Sequence, residues 1–279
     1  MKIITSQHLD GYLKYLKLDE KSKLTIEKYI RDVTAFNIFA NNCEITKELV
    51  MKYKNKLLSD NYALRSINSM IASINSFFDY TGWIDCKVKS LKIQQTIFCS
   101  EEKELTKVEY ERLCKTAESK NNVRLNLILQ TICSTGIRIS ELQYITAEAV
   151  KQGYAQVNCK SKSRKVFIVK DLRKKLMIYM RLRNITNGPV FITKNGNPMN
   201  RSNIWREMKA LCKCAMVNIE KVFPHNLRHL FARTFYKIEK DIAKLADILG
   251  HSSINTTRIY IISTGFEHQR KMENMRLII

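Results

Sequence analysis

Residues 64–82 read LRSINSMIASINSFFDYTG, and their apolar positions decide the fold class of this part of the chain. Apolar side chains recur at steps of 3 or 4 residues, at Leu64, Ile67, Ile71, Ile74 and Phe78. That spacing places them on one face of an α-helix, because a helix turns once in about 3.6 residues. Gly82 follows the last of them and is typical of a helix C-terminus. The stretch therefore predicts an amphipathic helix.

Three further apolar patterns with the helical period lie upstream of this stretch. They occupy residues 6–17, 22–40 and 46–58, and a threonine stands at the start of the third as a candidate cap. The segment 83–104 has a weaker period and several lysines, which is typical of a linker. We therefore predict a helical domain over residues 1–82, followed by that linker.

The second half of the chain, residues 105–279, combines helical periods with one strand-like segment. Polar and apolar side chains alternate over residues 154–159, and the run KVFIV follows a basic tip, KSKSR. This pattern predicts an antiparallel hairpin. Helices are predicted near residue 106 and over 123–134, 171–185, 202–215, 226–238 and 241–249, with Ser202 and Asp241 as caps. The predicted fold class is mainly α, with a helical first domain and an α-rich second domain that carries a small antiparallel β-hairpin or sheet.

The charge of the chain indicates a polyanionic partner. Its formal net charge is +22 over 279 residues, with a pI of about 9.7. Such an excess of one sign repels itself unless an opposite charge is near, so we expect the chain to bind double-stranded DNA. A general lysine bias of the source proteome is the alternative explanation.

Neither the cysteines nor the apolar segments indicate an extracellular or membrane protein. The 8 cysteines are scattered and form no Cys-x-x-Cys pair, so we expect reduced thiols and no structural zinc. The N-terminus lacks the apolar core of a signal peptide, and no window approaches 18 apolar residues. We therefore expect a cytoplasmic, nucleoid-associated protein with no membrane partner.

The stretch 224–260 concentrates side chains suited to phosphate chemistry. It contains PHNLRH, LGHSS and TTRIY in that order, which places His225, Arg228, His251 and Tyr260 at set intervals. A guanidinium and imidazoles suit a phosphate whose negative charge grows during reaction. A tyrosine beside them can act as a nucleophile. The sequence thus indicates phosphoryl transfer, although each residue taken alone is as readily structural.

Three segments together resemble the tyrosine recombinase, or phage integrase, family. TGIRISEL resembles the first arginine box of that family, PHNLRHLFA its His-x-x-Arg box, and LGHSSINTTRIY the closing box that carries the nucleophile. Their order and spacing also match. LTIEKYIRDVTAF and INSMIASINSFFDY in the first half are similar, less specifically, to the family's SAM-like core-binding domain. The resemblance implies that residues 105–279 form a catalytic domain.

The resemblance implies a role for each residue of these boxes. Arg138 and Arg228 would clamp the scissile phosphate, since guanidinium groups keep their charge near neutral pH. His225 would accept or position the tyrosine proton, and His251 would donate a hydrogen bond to a phosphate oxygen. Tyr260 would attack phosphorus, form a 3′-phosphotyrosine and release a 5′-hydroxyl. The covalent bond retains the energy of the phosphodiester, so the resemblance implies no cofactor and no metal.

Two further roles are implied, and one of them has two candidates. In the family a lysine on a β-hairpin protonates the leaving oxygen; here Lys160 is preferred and Lys162 remains open, because the hairpin lacks the glycines that many members have. Glu141 would orient Arg138, with a simple surface ion pair between the two as the alternative. We interpret His229 as structural.

DNA contacts are expected outside the reacting groups. On the hairpin, Lys162, Arg164 and Lys165 are candidates for phosphate contacts. In the first domain, Arg65, Asn68 and Asn75 lie off the apolar face of their helix and are candidates to face a groove. The segment 266–279 is basic with an apolar end, and the expectations for it are equally a cap on its own domain or packing on a neighbouring protomer.

The sequence as a whole predicts a site-specific DNA recombinase. The resemblance implies strand exchange through a Holliday junction within a homo-tetramer, with an accessory DNA-bending or directionality factor as a further candidate partner. We favour integration and excision of a bacterial mobile element. The alternatives are a Xer-like resolvase of chromosome or plasmid dimers, a type IB topoisomerase, and a DNA-binding regulator that does not cleave.

Overall fold

A computed structural model of the chain describes residues 1–93, 104–159, 162–193, 195–261 and 272–275, without the side chains of 159, 162 and 261. The chain divides into two compact units, residues 1–95 and 96–279. No helix among the described residues is long and apolar enough to cross a membrane.

The first unit contains the four helices that the apolar period predicts. They are α1 (Ser6–Leu18), α2 (Lys23–Ala40), α3 (Lys47–Ser59) and α4 (Leu64–Thr81). The side chains of Thr5, Ser22 and Thr46 accept hydrogen bonds from the first turns of α1, α2 and α3, which satisfies backbone N–H groups that have no partner within the helix. Helix α4 ends at Gly82, whose φ of 74° is left-handed. Its apolar stripe forms the centre of the core of this unit.

Two asparagines of α4 hold the chain that follows it. Asn75 Nδ2 donates to the Val88 carbonyl at 2.9 Å, and the Val88 N–H returns a bond to Asn75 Oδ1 at 3.2 Å. Asn68 pairs with Leu91 in the same reciprocal way, at 2.9 and 2.7 Å. Both side chains are therefore engaged with backbone and do not serve as the groove-facing readers that the sequence suggested.

The segment after Gly82 belongs to the first unit. A 3₁₀ turn at Ile84–Cys86 buries the Cys86 side chain completely, and Val88 is also buried in the core of this unit. The sequence predicted a linker from residue 83, whereas Cys86, Val88 and Leu91 pack on the core of the first unit. Weak periodicity hid this, because a segment held by asparagine side chains needs no apolar repeat.

The second unit contains eight helices and a hairpin among its described residues. The helices are α5 (Lys107–Ser119), α6 (Val123–Thr135), α7 (Ala147–Gln152), α8 (Lys170–Leu182), α9 (Arg201–Ala215), α10 (Pro224–Glu239), α11 (Ile242–Leu249) and α12 (Ile254–Ile261). Strands β1 (Tyr154–Cys159) and β2 (Lys162–Phe167) pair antiparallel, with Tyr154 opposite Phe167. The predicted fold class, mainly α with a small antiparallel sheet, is confirmed.

Helix caps in this unit agree with the sequence in one case and differ in another. Asp241 caps α11, since its side chain accepts from the amides of Ala243 and Lys244. Helix α9 is capped by Asn200, not Ser202, because α9 starts one residue earlier than predicted and Asn200 accepts from the Asn203 amide. The last helix, α12, was not predicted.

Among the described residues of the second unit, buried apolar side chains form two separate cores. The large core surrounds α6, which packs against α5, α8, α9 and α10 and buries residues on several faces. The small core consists of Ala232, Leu245, Leu249 and Tyr260, contributed by α10, α11 and α12. Helix α10 contributes Leu227 and Leu230 to the large core and Ala232 to the small core, so it connects the two.

Candidate active site

The first turns of α10 present three of the candidate side chains. Pro224 stands at the first helical position, where its fixed φ suits the helix and its missing N–H costs nothing. His225 follows, and Arg228 and His229 come three and four residues after it, which places both on the same side of the helix as His225. Arg228 is 1% exposed, while His225 remains exposed.

Arg228 is held by acceptors from two helix ends. Its Nη1 donates to the Gly136 carbonyl at the end of α6, and its Nη2 donates to the Leu249 carbonyl at 2.7 Å. Burial and the charge of Arg138 lower the pKa of Arg228 to about 10, while the hydrogen-bonding Tyr260 hydroxyl and Glu141 oppose that shift. The group stays cationic at neutral pH, so a buried positive charge stands beside the tyrosine.

Arg138 is placed by the turn that ends α6. Gly136 has φ of 64°, and a Cβ there would lie 2.5 Å from the Phe231 ring, so only glycine fits. The chain then enters a 3₁₀ turn (Ile139–Tyr144), in which the Glu141 carboxylate accepts both the Arg138 N–H and the Arg138 Nη1, each at 2.9 Å. The side chain of Arg138 is 30% exposed and therefore reachable from solvent.

Glu141 is buried between two arginines. Arg164, on β2, donates from Nη1 and Nη2 to the two carboxylate oxygens at 3.0 and 2.8 Å. Burial alone would raise the pKa of Glu141, but the bonds from Arg164 and Arg138 outweigh it and hold the pKa at about 2. Glu141 is therefore ionised and bonded to Arg138, the contact on which its expected orienting role depends. Arg164, expected as a DNA contact, is instead occupied by Glu141.

His251 follows the end of α11 and contacts Arg228. Its Nε2 lies 2.9 Å from Arg228 Nη2, and its Nδ1 lies 2.8 Å from the Thr257 hydroxyl. Because arginine only donates, Nε2 must be the acceptor, and Nδ1 carries the proton and donates to Thr257. Burial and three arginines lower the pKa of His251 to about 4, so the neutral ring is stable. In this arrangement Nε2 is engaged with Arg228, and the hydrogen bond to phosphate that the resemblance implied stays a prediction.

Tyr260 lies on α12 within the small core and is 8% exposed. Its ring contacts two imidazoles, His229 with a centroid distance of 4.3 Å and His251 at 5.3 Å in a stacked geometry. The His229 contact agrees with its interpretation as structural. Together with the Arg228 contact, this packing fixes the tyrosine beside the buried cation.

The two histidines of α10 differ in their surroundings. His229 is partly buried, and burial with the nearby charges of His225 and Arg228 lowers its pKa to about 4. Burial, Arg228, Arg138 and Arg201 also lower the pKa of His225. A neutral, exposed imidazole can accept a proton, which is the chemistry expected of His225.

The structure brings together five of the six expected catalytic residues and leaves the sixth undescribed. Arg138 and Arg228 both bond the end of α11, His251 contacts Arg228 and Tyr260, and His225 lies one turn before Arg228 on α10. Lys160 lies outside the described residues, and of Lys162 only the backbone in β2 is described. The choice between these two lysines as general acid therefore stays a prediction.

The expected DNA contacts fall into described and undescribed groups. Arg65 is exposed on α4, and Lys165 is exposed on β2 with its ammonium 4.9 Å from the centre of the Tyr154 ring. Of the segment 266–279, only residues 272–275 are described. Among the described residues, no group of three His, Cys, Asp or Glu side chains is placed to hold a metal ion.

Arg164 is the residue whose place sequence reasoning missed. A signal was available in the alternation of β2. Val166 and Ile168 are buried while Lys165 and Phe167 are exposed, so Arg164, two residues before Val166, lies on the inward face. A basic residue on the inward face of a strand needs a buried acid, and Glu141 is that acid.

One buried and one partly exposed arginine beside a tyrosine are suited to phosphoryl transfer, and comparison with known proteins gives the family of this site. The model of the phage integrase family matches residues 103–265, and that of its N-terminal SAM-like domain matches residues 9–83. The first match alone spans more than half of the chain. The chain belongs to the phage integrase family and is a site-specific recombinase of the tyrosine class.

Similar proteins span nearly the whole chain. Tyrosine recombinase XerA of Pyrococcus furiosus is 28% identical over 286 aligned positions, which cover 99% of this chain and 96% of that protein. Tyrosine recombinase XerD of Halalkalibacterium halodurans is 27% identical, with coverage of 91% and 92%. Both matches therefore include the two units.

Solved structures of similar fold include complexes with DNA. One shows a lambda integrase tetramer bound to a Holliday junction, with a TM-score of 0.73, 18% identity, and coverage of 91% of this chain and 76% of that one. Another shows the XerH site-specific recombinase bound to its difH substrate before cleavage, with a TM-score of 0.70, 18% identity, and coverage of 96% and 84%. At these identities the likeness concerns the fold.

Proposed function

We propose that this recombinase cleaves and rejoins double-stranded DNA through a covalent bond between Tyr260 and a 3′-phosphate. The Tyr260 oxygen attacks phosphorus and forms the new P–O bond. The bond to the 5′-oxygen breaks, and that oxygen leaves as a hydroxyl after gaining a proton. Rejoining reverses these steps with a different 5′-hydroxyl, so each transfer balances without a cofactor.

The observation that carries this proposal is the position of Tyr260 against Arg228. The tyrosine is buried beside a guanidinium that is itself 1% exposed and cationic. Arg138 adds a second, solvent-accessible guanidinium. Two fixed cations stabilise the charge that accumulates on the phosphorane more in the transition state than in the ground state. In this proposal both arginines bind the scissile phosphate.

The three histidines have different parts in the proposed reaction. His225 is exposed and its pKa is lowered, so it accepts the Tyr260 proton or positions it. His251 holds Arg228 through Nε2 and acts on the phosphate through that arginine. His229 supports the tyrosine ring. The general acid is Lys160, with Lys162 as the alternative, and this assignment rests on the family resemblance.

Trapping the covalent adduct tests the proposed chemistry. A library of nicked duplexes with a random central sequence serves as the probe, because the nick lets the released fragment diffuse away and prevents rejoining. We expect the wild-type chain to recover duplexes in covalent linkage, and Tyr260→Phe to recover none while keeping its DNA affinity. Absence of an adduct with the wild type would refute cleavage and favour a binding-only regulator.

The assembly that we propose is a homo-tetramer that exchanges strands through a Holliday junction. The lambda integrase tetramer of similar fold is bound to such a junction, and the net charge of +22 suits several DNA arms. Affinity should fall steeply with salt, since it depends on released counterions. Synapsis of two sites separates this assembly from a type IB topoisomerase, which relaxes supercoils as a monomer.

For the biological role we propose integration and excision of a mobile element, with resolution of DNA dimers as the second candidate. The second is favoured by the near-complete coverage of Xer recombinases such as that of Pyrococcus furiosus. Once a cleaved site has been recovered, two plasmids separate the roles. A resolvase recombines two directly repeated copies of one site, whereas an integrase joins two unlike sites on separate circles.

A further inference from the structure

The end of α11 collects three arginines from three different parts of the second unit. Its consecutive carbonyls at Ile248, Leu249 and Gly250 accept from Arg164 Nε at 3.2 Å, Arg228 Nη2 at 2.7 Å and Arg138 Nη2 at 3.3 Å, in that order. The last carbonyls of a helix lack partners within the helix and carry partial negative charge. They therefore suit cations, and here they fix the relative positions of three guanidinium groups.

Arg164 differs from the other two in where its donors go. Its Nε is bonded to the Ile248 carbonyl, and its two terminal nitrogens are bonded to the two oxygens of Glu141. Its side chain is 14% exposed, less than half the 30% of Arg138. All three nitrogens thus have protein partners, whereas the Nε of Arg228 has none among the described residues, so Arg164 is the less well placed of the two to take a DNA phosphate.

Glu141 connects Arg164 to Arg138. The two oxygens of the Glu141 carboxylate accept hydrogen bonds from Arg164 Nη1 and Nη2. They also accept from the backbone N–H and Nη1 of Arg138. Without Arg164, Glu141 would pair with Arg138 alone, and α11 would lose its bond to β2 through Ile248. The direction in which Arg138 presents its remaining N–H groups therefore depends on Arg164.

The Arg164 side chain lies directly against the backbone of Gly250. A Cβ at Gly250 would lie 2.7 Å from Arg164 Cδ and 2.9 Å from Nη1, and the φ of Gly250 is 65°. The glycine allows the arginine to lie flat against the end of α11. A lysine cannot reproduce this arrangement, because a single ammonium cannot span Ile248 and both carboxylate oxygens.

We propose that Arg164 is a positioning residue: it binds no DNA, and it orients Arg138 toward the scissile phosphate by holding Glu141 against the end of α11. The proposal rests on the proposed phosphoryl transfer. Strand β2, which follows the hairpin tip, thereby helps to position Arg138, and Arg164 does not make the DNA contact that the sequence suggested.

The test compares Arg164→Gln and Arg164→Lys with Arg173→Gln. Arg173 is a matched control, since its Nε also donates to a carbonyl, that of Val150, at 2.9 Å, and its Nη2 donates to the Lys151 carbonyl. Duplexes recovered as adducts by the wild-type chain are the substrate. At saturating DNA we expect the adduct rate of Arg164→Gln to fall about 10–100-fold, that of Arg164→Lys to fall nearly as far, and that of Arg173→Gln to change less than about 2-fold.

Three readouts separate positioning from a DNA contact or a damaged fold. The slope of log affinity against log salt should match the wild type, whereas a lost phosphate contact lowers it by about 1. The double variant Arg164→Gln/Arg138→Ala should be about as slow as Arg138→Ala alone. A substrate with sulfur as the leaving atom, which needs little protonation, should not restore the Arg164→Gln rate, since the defect lies in Arg138 and not in the general acid.

The outcomes distinguish a failure of the positioning role from a failure of the proposed function. Independent, multiplicative effects of the two substitutions, a lowered salt slope, or full rescue by the sulfur substrate would overturn the positioning role and leave the recombinase chemistry standing. A thermal midpoint of Arg164→Lys below the assay temperature, with the same rate per folded molecule as wild type, would also overturn it. No adduct from the wild-type chain would refute the proposed function itself, and the inference with it.

Discussion

The arginine clamp (Arg138 and Arg228) and the nucleophile are held by cores of different size. Arg228 lies on α10 where that helix packs on the large core, and Arg138 follows Ile137, which is fully buried in that core. Tyr260 instead belongs to the small core, which among the described residues has four buried members. The backbone that carries the clamp is therefore anchored in the large core. The tyrosine depends on the small core, as does the end of α11 whose carbonyls hold the two guanidinium groups, so both can move at lower cost.

The largest expected loss of adduct rate comes from removing Arg228, the buried arginine of the clamp. Arg228→Ala removes one transition-state cation and leaves the buried carbonyls of Gly136 and Leu249 without donors. We expect the adduct rate to fall about 10³-fold and the free energy of unfolding to fall by about 3 kcal/mol. Tyr260→Phe should abolish the adduct but change stability by less than about 1 kcal/mol, because its ring stays packed.

Adduct trapping and urea unfolding measure these two quantities. Equal stability losses in Arg228→Ala and Tyr260→Phe would contradict the separation of the clamp from the nucleophile. Arg138→Ala is the matched comparison within the clamp: its guanidinium is partly exposed, so a loss of rate with a smaller loss of stability is expected.

The second prediction compares one leucine from each core. Leu245 in the small core and Leu129 in the large core are both fully buried. Either change to alanine should cost about 2–4 kcal/mol of packing. We expect Leu245→Ala to lower the adduct rate about 10-fold at a temperature where both variants are folded, because it loosens α11 against Tyr260.

Leu129→Ala should leave that rate within about 2-fold of wild type. Hydrogen exchange of the α11 and α12 amides reports whether the loosening is local to the small core. A greater loss of rate in Leu129→Ala than in Leu245→Ala would show that the two cores do not act separately.

The third prediction concerns Gly250, where the end of α11 contacts Arg164. Gly250→Ala places a Cβ against Arg164 and on a left-handed backbone, so it should cost about 2–4 kcal/mol and slow adduct formation. Gly188→Ala is the control, since Gly188 also has a positive φ, 69°, but open space around a Cβ. It should cost about 1 kcal/mol and leave the rate unchanged. Thermal unfolding with adduct trapping checks both, and similar behaviour of the two variants would rule out the close contact as the cause.

The smallest expected effect is a change in the pH dependence of stability. The pKa of His229 is lowered to about 4 from 6.5, so its neutral state stabilises the fold above pH 6.5, and this is lost as the pH falls toward 4. In His229→Gln the loss of unfolding free energy between these pH values should be smaller by about 1 kcal/mol, discounted for the partial exposure of the ring. Denaturant unfolding across that range measures it, and identical curves for the two proteins would contradict a buried neutral His229.

Local periodicity made most of the fold predictable from sequence. Helices such as α4 carry their own apolar stripe, and the hairpin carries its own alternation, so neither needs knowledge of distant residues. Helix α12 was missed because it has eight residues, and only Thr257 and Tyr260 among its described side chains are buried. Its burial depends on α10 and α11, which sequence spacing does not show.

The site was predictable as a set of residues but not as a set of contacts. Family boxes located Arg138, Arg228, His251 and Tyr260. They did not indicate that His251 accepts from Arg228, because the direction of that bond depends on a neighbour 23 positions away. Arg164 was misplaced for a similar reason, since its partner Glu141 lies on another element. The sequence shows the charge of a side chain, whereas the partner of that charge depends on the fold.

The paired asparagines of α4 also set a length. Measured from Gly82, a fully extended tether to Leu105 would reach about 80 Å, but with the chain fastened as far as Leu91 it reaches about 50 Å. Asn68 and Asn75 thus set an upper limit on the contour length between Leu91 and the start of the second unit's described residues. Releasing them by substitution with leucine would raise that limit without changing a single residue between Leu91 and Leu105.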